Sequence, residues 1–223
     1  MINPVAKHII RKLEINSFVE TGIWQGKQIK YVSDWFNEFF GENYKMFEVD
    51  VKEEYVDSVK ERYKENDNIF PILADSEEWL KENINLFKDN RTLFFLDAHW
   101  YEKLPLRGEI ESVLTLNNKP IIAIDDYLNP FNVSARGYDV YNGTPIGTEF
   151  IRDLIQDRVE VVVHCNKPQD RSLEPLGLGE GGNQCAFLFI DETIENVISF
   201  FDDPIFAPIS FYPLPDPLKE ENK

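Results

Sequence analysis

Short runs of apolar and β-branched residues alternate with longer amphipathic stretches along most of this chain, and that alternation limits the fold more than any single motif. The runs TLFFL (92–96) and PIIAI (120–124) are apolar on both pleat faces. Such strands need cover on both sides, which is the habit of a parallel sheet between helix layers. Strands are expected at 17–20, 44–49, 69–73, 92–96, 120–124, 159–163 and 185–190. Helices are expected at 3–13, 26–40, 53–65, 77–87, 106–116 and 147–156. The second helix turns Ile29, Val32, Trp35, Phe36 and Phe39 inward, and Gly41 stops it. Right-handed crossovers then give an α/β, doubly wound, mostly parallel seven-stranded sheet. The last two strands have no helix between them, so they are expected as an antiparallel edge pair. Residues 1–201 are expected to form a single domain. Residues 202–223, with Pro204, Pro208, Pro213, Pro215 and Pro217, are expected to be a tail that wraps it.

Charge narrows the partners. Forty acidic residues against 23 basic ones leave a formal charge of -17. Nucleic-acid affinity comes mostly from Lys and Arg displacing counterions, so no nucleic-acid partner is expected. The same surface disfavours anionic membranes. No apolar run reaches the length of a membrane span, and the N-terminus has no signal-peptide core, so the expected setting is cytoplasmic, with no membrane partner. Cys165 and Cys185 are the only cysteines; they could pair once, but are expected as two buried thiols in a reducing setting. A monomer or homodimer is expected.

Ligands of an open parallel sheet bind where strands end. After the first strand come Glu20, Thr21, Gly22, Ile23, Trp24, Gln25 and Gly26. Two glycines let backbone approach a ligand, and the following helix offers unpaired N–H groups; the same glycines would equally serve a plain turn. The second strand ends at Glu48-Val49-Asp50. A carboxylate there suits a ribose diol, Asp50 before Glu48, although Asp50 could instead cap the next helix. The third ends at Asp75-Ser76, which could read an adenine amine or cap a helix.

The fourth strand delivers Asp97, His99, Trp100 and Tyr101, and the fifth delivers Asp125, Asp126 and Tyr127. Three carboxylates at adjacent strand ends repel one another unless they are solvated apart or neutralised. A hard divalent cation, Mg²⁺ or Mn²⁺, is the expected neutraliser, held by Asp97, Asp125 and Asp126. His99 lies two residues past Asp97, on the same side of an extended strand end, and is a competent base near neutral pH. His8 and His164 lack such company and read as structural. Segment 129–144 is expected as a lid bearing Tyr138 and Tyr141. Trp100, Tyr101, Tyr127 and Tyr141 are candidates to stack on a substrate ring.

The order FVETGIWQG (18–26), FEVD (47–50), ADS (74–76), FFLDAHWY (94–101) and IIAIDDY (121–127) resembles class I S-adenosylmethionine-dependent methyltransferases over residues 15–190. Within it, LDAHWY followed by IDDY is similar to the metal-dependent sugar O-methyltransferases of the macrocin and novobiocin type. The resemblance implies a Rossmann-like methyltransferase fold and S-adenosylmethionine held by Glu20, Thr21, Gly22, Gly26, Asp50, Asp75, Ser76 and Asp97. It also implies metal ligands at Asp97, Asp125 and Asp126, a base at His99, and a saccharide or small-molecule acceptor. The first loop departs from the family, with Glu20-x-Gly22-x-x-x-Gly26 in place of acidic-x-Gly-x-Gly.

Other classes stay in view. A nicotinamide-dependent oxidoreductase would carry Gly-x-Gly-x-x-Gly after strand one, which this chain lacks. A metal-dependent glycosyltransferase or hydrolase could use the Asp cluster but leaves Asp50 and Asp75 idle. A non-catalytic nucleotide-binding module is the remaining alternative.

Overall fold

A computed structural model describes residues 4–98, 103–131, 138–165, 185–202 and 209–214. The chain divides into two compact units, Lys7–Pro120 and Met1–Ala6 with Ile121–Lys223.

In the first unit α1 (Pro4–Lys12) leads into β1 (Ser17–Thr21), α2 (Lys27–Phe40), β2 (Lys45–Asp50), α3 (Glu53–Arg62) and β3 (Ile69–Leu73). Then come α4 (Ser76–Asn83) with a 3-10 turn at Ile84–Phe87, β4 (Thr92–Leu96) and α5 (Leu106–Val113). The four strands are parallel, in the order β4-β1-β2-β3. β1 and β4 are buried at every residue, as both-face apolar runs require. β3 is the edge strand, and Pro71, which has no N–H to donate, is tolerated there. Helix α2 turns Ile29, Val32 and Phe36 into the core, while Trp35 and Phe39 stop half-buried. Phe18, Phe36 and Tyr44 pack on one side, with centroids 6.4 and 5.2 Å apart. Phe47, Phe87 and Phe94 pack as a second cluster at 5.2 Å spacings. Each fully buried phenylalanine contributes about 1.5–3 kcal/mol.

The second unit carries β5 (Ile121–Ile124), β6 (Val140–Tyr141), β7 (Thr144–Pro145), α6 (Thr148–Ile155), β8 (Val161–Cys165), β9 (Cys185–Phe189), α7 (Ile194–Ser199) and β10 (Ile209–Pro213). Its main strands run β5-β9-β8-β10, each antiparallel to its neighbour.

Three features depart from the sequence reading. Among the described residues there are eight main strands rather than seven, because Ile209–Pro213 pairs with β8. That run lies within the stretch expected as a tail. The β8–β9 pair is antiparallel as expected, but β10 covers it, so it does not form the edge. Within the expected lid, β6 and β7 form a hairpin around Asn142 (φ 49°) and Gly143 (φ 82°), the two left-handed residues of a type I′ turn. Residues 132–137 of that expected lid lie outside the described residues.

Candidate functional site

The C-terminal ends of β1, β2, β3 and β4 lie in register. Thr21 is opposite Val49 and Leu96, and Asp50 is opposite Leu73. The ladder continues one step past the strands, where the Gly22 N–H donates to the Val49 carbonyl at 2.9 Å and the Asp97 N–H to the Thr21 carbonyl at 3.0 Å. Thr21, Gly22, Asp50 and Asp97 therefore share one edge of this unit.

Gly22 is needed for two reasons. Its φ is +83°, and a Cβ there would stand 2.5 Å from the Asp97 carbonyl oxygen. No side chain fits between the loop and β4. Gly26, at φ 62°, is the N-cap of the 14-residue α2 and offers it no side-chain cap hydrogen bond. Arg62 on α3 braces the turn by donating to the Gln25 and Gly26 carbonyls at 3.1 and 3.2 Å. Between the glycines, Trp24 takes φ 48° and is 58% exposed. A bulky residue in this conformation is an outlier of the kind that collects at functional loops.

Asp50 ties the loop to β2. One carboxylate oxygen accepts from the Trp24 N–H at 3.2 Å and the other from the Lys52 N–H at 2.8 Å. Asp50 ends its strand at 6% exposure, and Glu48, two residues earlier, is wholly buried. Asp75 is the N-cap of α4: it accepts from the Glu78 N–H at 3.2 Å and from Lys103 Nζ at 2.8 Å. Partial burial pushes its carboxyl up, but Lys103 and the Glu78 N–H overcome this and leave it below the usual range. Ser76 is buried beside it at 4% exposure.

Glu20 and Glu48, both named from the sequence as candidate cofactor ligands, are buried, and a third buried carboxyl, Glu109, was not named there. Glu20 and Glu48 face each other across the β1–β2 ladder, at 2% and 0% exposure. Burial drives the Glu48 carboxyl well above the ordinary range, and the neighbouring Glu20 carboxyl offsets this only in part. Glu109 on α5 is also wholly buried, with neither oxygen in hydrogen-bond geometry with a partner among the described residues. Burial raises it to about 7, and the nearby hydroxyls of Ser76 and Thr21 pull it back only in part. Its spacing gave a signal: Glu109 shares the apolar face of α5 with Leu106, Ile110 and Val113.

The remaining expected residues fare differently. Among the described residues no group of three or more His, Cys, Asp or Glu side chains is placed to hold a metal ion. Asp97 follows β4 in the first unit, and Asp125 and Asp126 follow β5 in the second. Asp125 and Asp126 follow β5, Asp125 at 5% exposure and Asp126 at φ 49°, with the Asp126 carbonyl accepting from the Asp139 N–H at 2.8 Å. Tyr127, expected to stack on substrate, is wholly buried, and its hydroxyl lies 3.2 Å from the Thr148 hydroxyl. Its apolar ring is core packing. Tyr141 is half-buried in the β6–β7 hairpin. His99, Trp100 and Tyr101 lie outside the described residues. His164 is 1% exposed among Tyr127, Phe131 and Tyr212, and burial lowers it to about 4, so it is a neutral core imidazole.

No family model and no curated protein matches the chain. Solved structures do. The O-methyltransferase TomG from Streptomyces achromogenes, solved with S-adenosylmethionine, is 13% identical with a TM-score of 0.55, over 85% of this chain and 80% of that one. CalS11, a TDP-rhamnose 3'-O-methyltransferase of calicheamicin biosynthesis, is 14% identical with a TM-score of 0.55, over 83% and 76%. A putative caffeoyl-CoA O-methyltransferase from Staphylococcus aureus is 16% identical with a TM-score of 0.54, over 84% and 81%. The chain has the α/β Rossmann-like methyltransferase fold. No helix among the described residues is long and apolar enough to cross a membrane.

Proposed function

We propose that this protein is an S-adenosylmethionine-dependent O-methyltransferase acting on a hydroxyl of a sugar or small glycosylated molecule. The observation that carries the reading is the strand-end constellation of the first unit. There a side-chain-free turn at Gly22 presses on the Asp97 backbone, an uncapped helix N-terminus follows, and Asp50 hydrogen-bonds the loop. The fold is shared with an O-methyltransferase solved with S-adenosylmethionine and with a sugar O-methyltransferase.

The residues fit the cofactor. Backbone at Glu20, Thr21, Gly22 and Gly26 would line its methionine end, where α2 offers N–H donors to a carboxylate. Asp50 would take the ribose hydroxyls, already oriented by the Trp24 and Lys52 amides. Asp75 and Ser76 would border the adenine, with Asp75 also capping α4. Asp97 would close the pocket from β4. When bound, S-adenosylmethionine supplies an activated methyl group on a sulfonium. The chain then has to hold an acceptor oxygen in line with that methyl and take the oxygen's proton, and His99 is the proposed base. Trp100, Tyr101 and Tyr141 are the proposed contacts to the acceptor. The described residues do not fit a divalent metal, so no step here runs through one.

Calorimetry tests the cofactor half. Micromolar binding of S-adenosylhomocysteine, unchanged by dialysis against a chelator, is expected; failure to bind would overturn the reading. Transfer of radiolabelled methyl to a panel of nucleotide sugars and glycosylated small molecules tests the acceptor half, and methylation confined to amines or nucleic acid would replace it.

A further inference from the structure

β8 and β9 are antiparallel neighbours in which Val162 faces Leu188, Val163 faces Phe187, His164 faces Ala186 and Cys165 faces Cys185. The last rung therefore sets the chain's only two cysteines directly against each other. Residues opposite in an antiparallel ladder project to the same face, with Cα atoms about 4.5 or 5.5 Å apart and Cβ atoms about 4.5–5.5 Å apart. A disulfide needs Cα atoms about 4.4–6.8 Å apart and Cβ atoms about 3.5–4.5 Å apart. Either kind of rung meets the first condition. A small approach at the end of the two strands meets the second. Both residues are thiols here, at 7% and 2% exposure, and 19 residues of sequence, 166–184, lie between them.

We propose that Cys165 and Cys185 form a redox modification site, closed to an intramolecular disulfide by a small disulfide such as oxidised glutathione. Cys165, the more exposed, gives its proton to solvent, and its thiolate attacks one sulfur of the reagent. The reagent's S–S bond breaks, and one glutathione thiolate leaves and takes up a proton. The Cys185 thiolate then attacks the Cys165 sulfur, the Cys165–Cys185 bond forms, and the second glutathione leaves as a thiol. Two protein thiols are oxidised while one reagent disulfide is reduced to two thiols. Partial burial makes the first attack depend on opening of the strand ends, so the reaction runs over minutes to hours. The product joins both ends of 166–184 and restrains the unfolded chain.

The test incubates the native full-length protein with oxidised glutathione and follows intact mass. Loss of two hydrogens without retained glutathione is expected, with Cys165 and Cys185 joined in one cross-linked peptide pair. The melting temperature is expected to rise by about 5–10 °C and to return on reduction. Cys185→Ser should instead stop at a mixed disulfide on Cys165. A wild-type protein that stays unreacted after a day, keeps a glutathione adduct, or forms intermolecular dimers would overturn the proposal, and none of these readouts needs the serine variant to fold.

Discussion

Replacing Gly22 with alanine tests the closest approach in the candidate site. Two costs add. An alanine at φ +83° sits in a conformation that costs an L-residue about 1–3 kcal/mol. Its Cβ would also stand 2.5 Å from the Asp97 carbonyl oxygen, 2.8 Å from its carbon and 2.9 Å from the Ala98 nitrogen. All three are backbone atoms, so no side chain can rotate away. The loop must move instead, at an overpacking cost of about 1–3 kcal/mol. The expected loss is about 2–6 kcal/mol, or about 4–24 °C in melting temperature for a chain of this size. Gly143 supplies the control, because its φ is +82° and nothing lies within 4 Å of its Cβ position. Gly143→Ala carries the conformational cost alone. Urea denaturation should separate the two variants by about 2 kcal/mol, and calorimetry should show S-adenosylhomocysteine binding weakened at least about 100-fold only in Gly22→Ala. Equal destabilisation of both variants would refute the argument that β4 excludes a side chain at position 22.

Glu109→Gln should flatten part of the pH profile of stability. The folded carboxyl is raised from 4.5 to about 7, so its contribution is complete below pH 4.5 and is lost as pH rises toward 7. Urea melts between pH 5 and 8 should show the variant gaining on wild type by up to about 3 kcal/mol at pH 8; parallel profiles would remove Glu109 as a titrating group. Asp50→Ala removes the acceptor for two backbone N–H groups and the proposed ribose ligand, and calorimetry should find S-adenosylhomocysteine binding weakened by about 10–100-fold. Undiminished affinity would leave Asp50 only a loop anchor. His99→Ala should lower turnover by about 100-fold or more with cofactor affinity kept, and alkaline buffer should restore part of the rate. A normal rate at pH 7 would place the base elsewhere.

Strands at 69–73 and 92–96 were legible to the residue, because an apolar, β-branched run bounded by turn residues has few other uses. The β6–β7 hairpin was legible in principle from Asn142-Gly143, but strands of two residues carry no periodicity of their own. β10 was hidden by its prolines: Ile209–Pro213 reads as a breaker-rich tail until β8 offers it an edge. At the site, the residues past each strand could be named from sequence, yet their roles divided. Asp50 anchors a loop, Asp75 caps a helix, and Tyr127 fills the core.

Local pattern alone was enough to determine an alternating α/β chain and to mark Gly22, Asp50 and Asp97 as strand-end residues, since period and turn chemistry act between near neighbours. Only the tertiary structure decided which carboxyls lose water, that Glu20 comes to face Glu48, and that Cys165 meets Cys185. Desolvation and pairing depend on atoms brought together from distant parts of the chain, and register between strands is set by the packing of the whole sheet rather than by either strand.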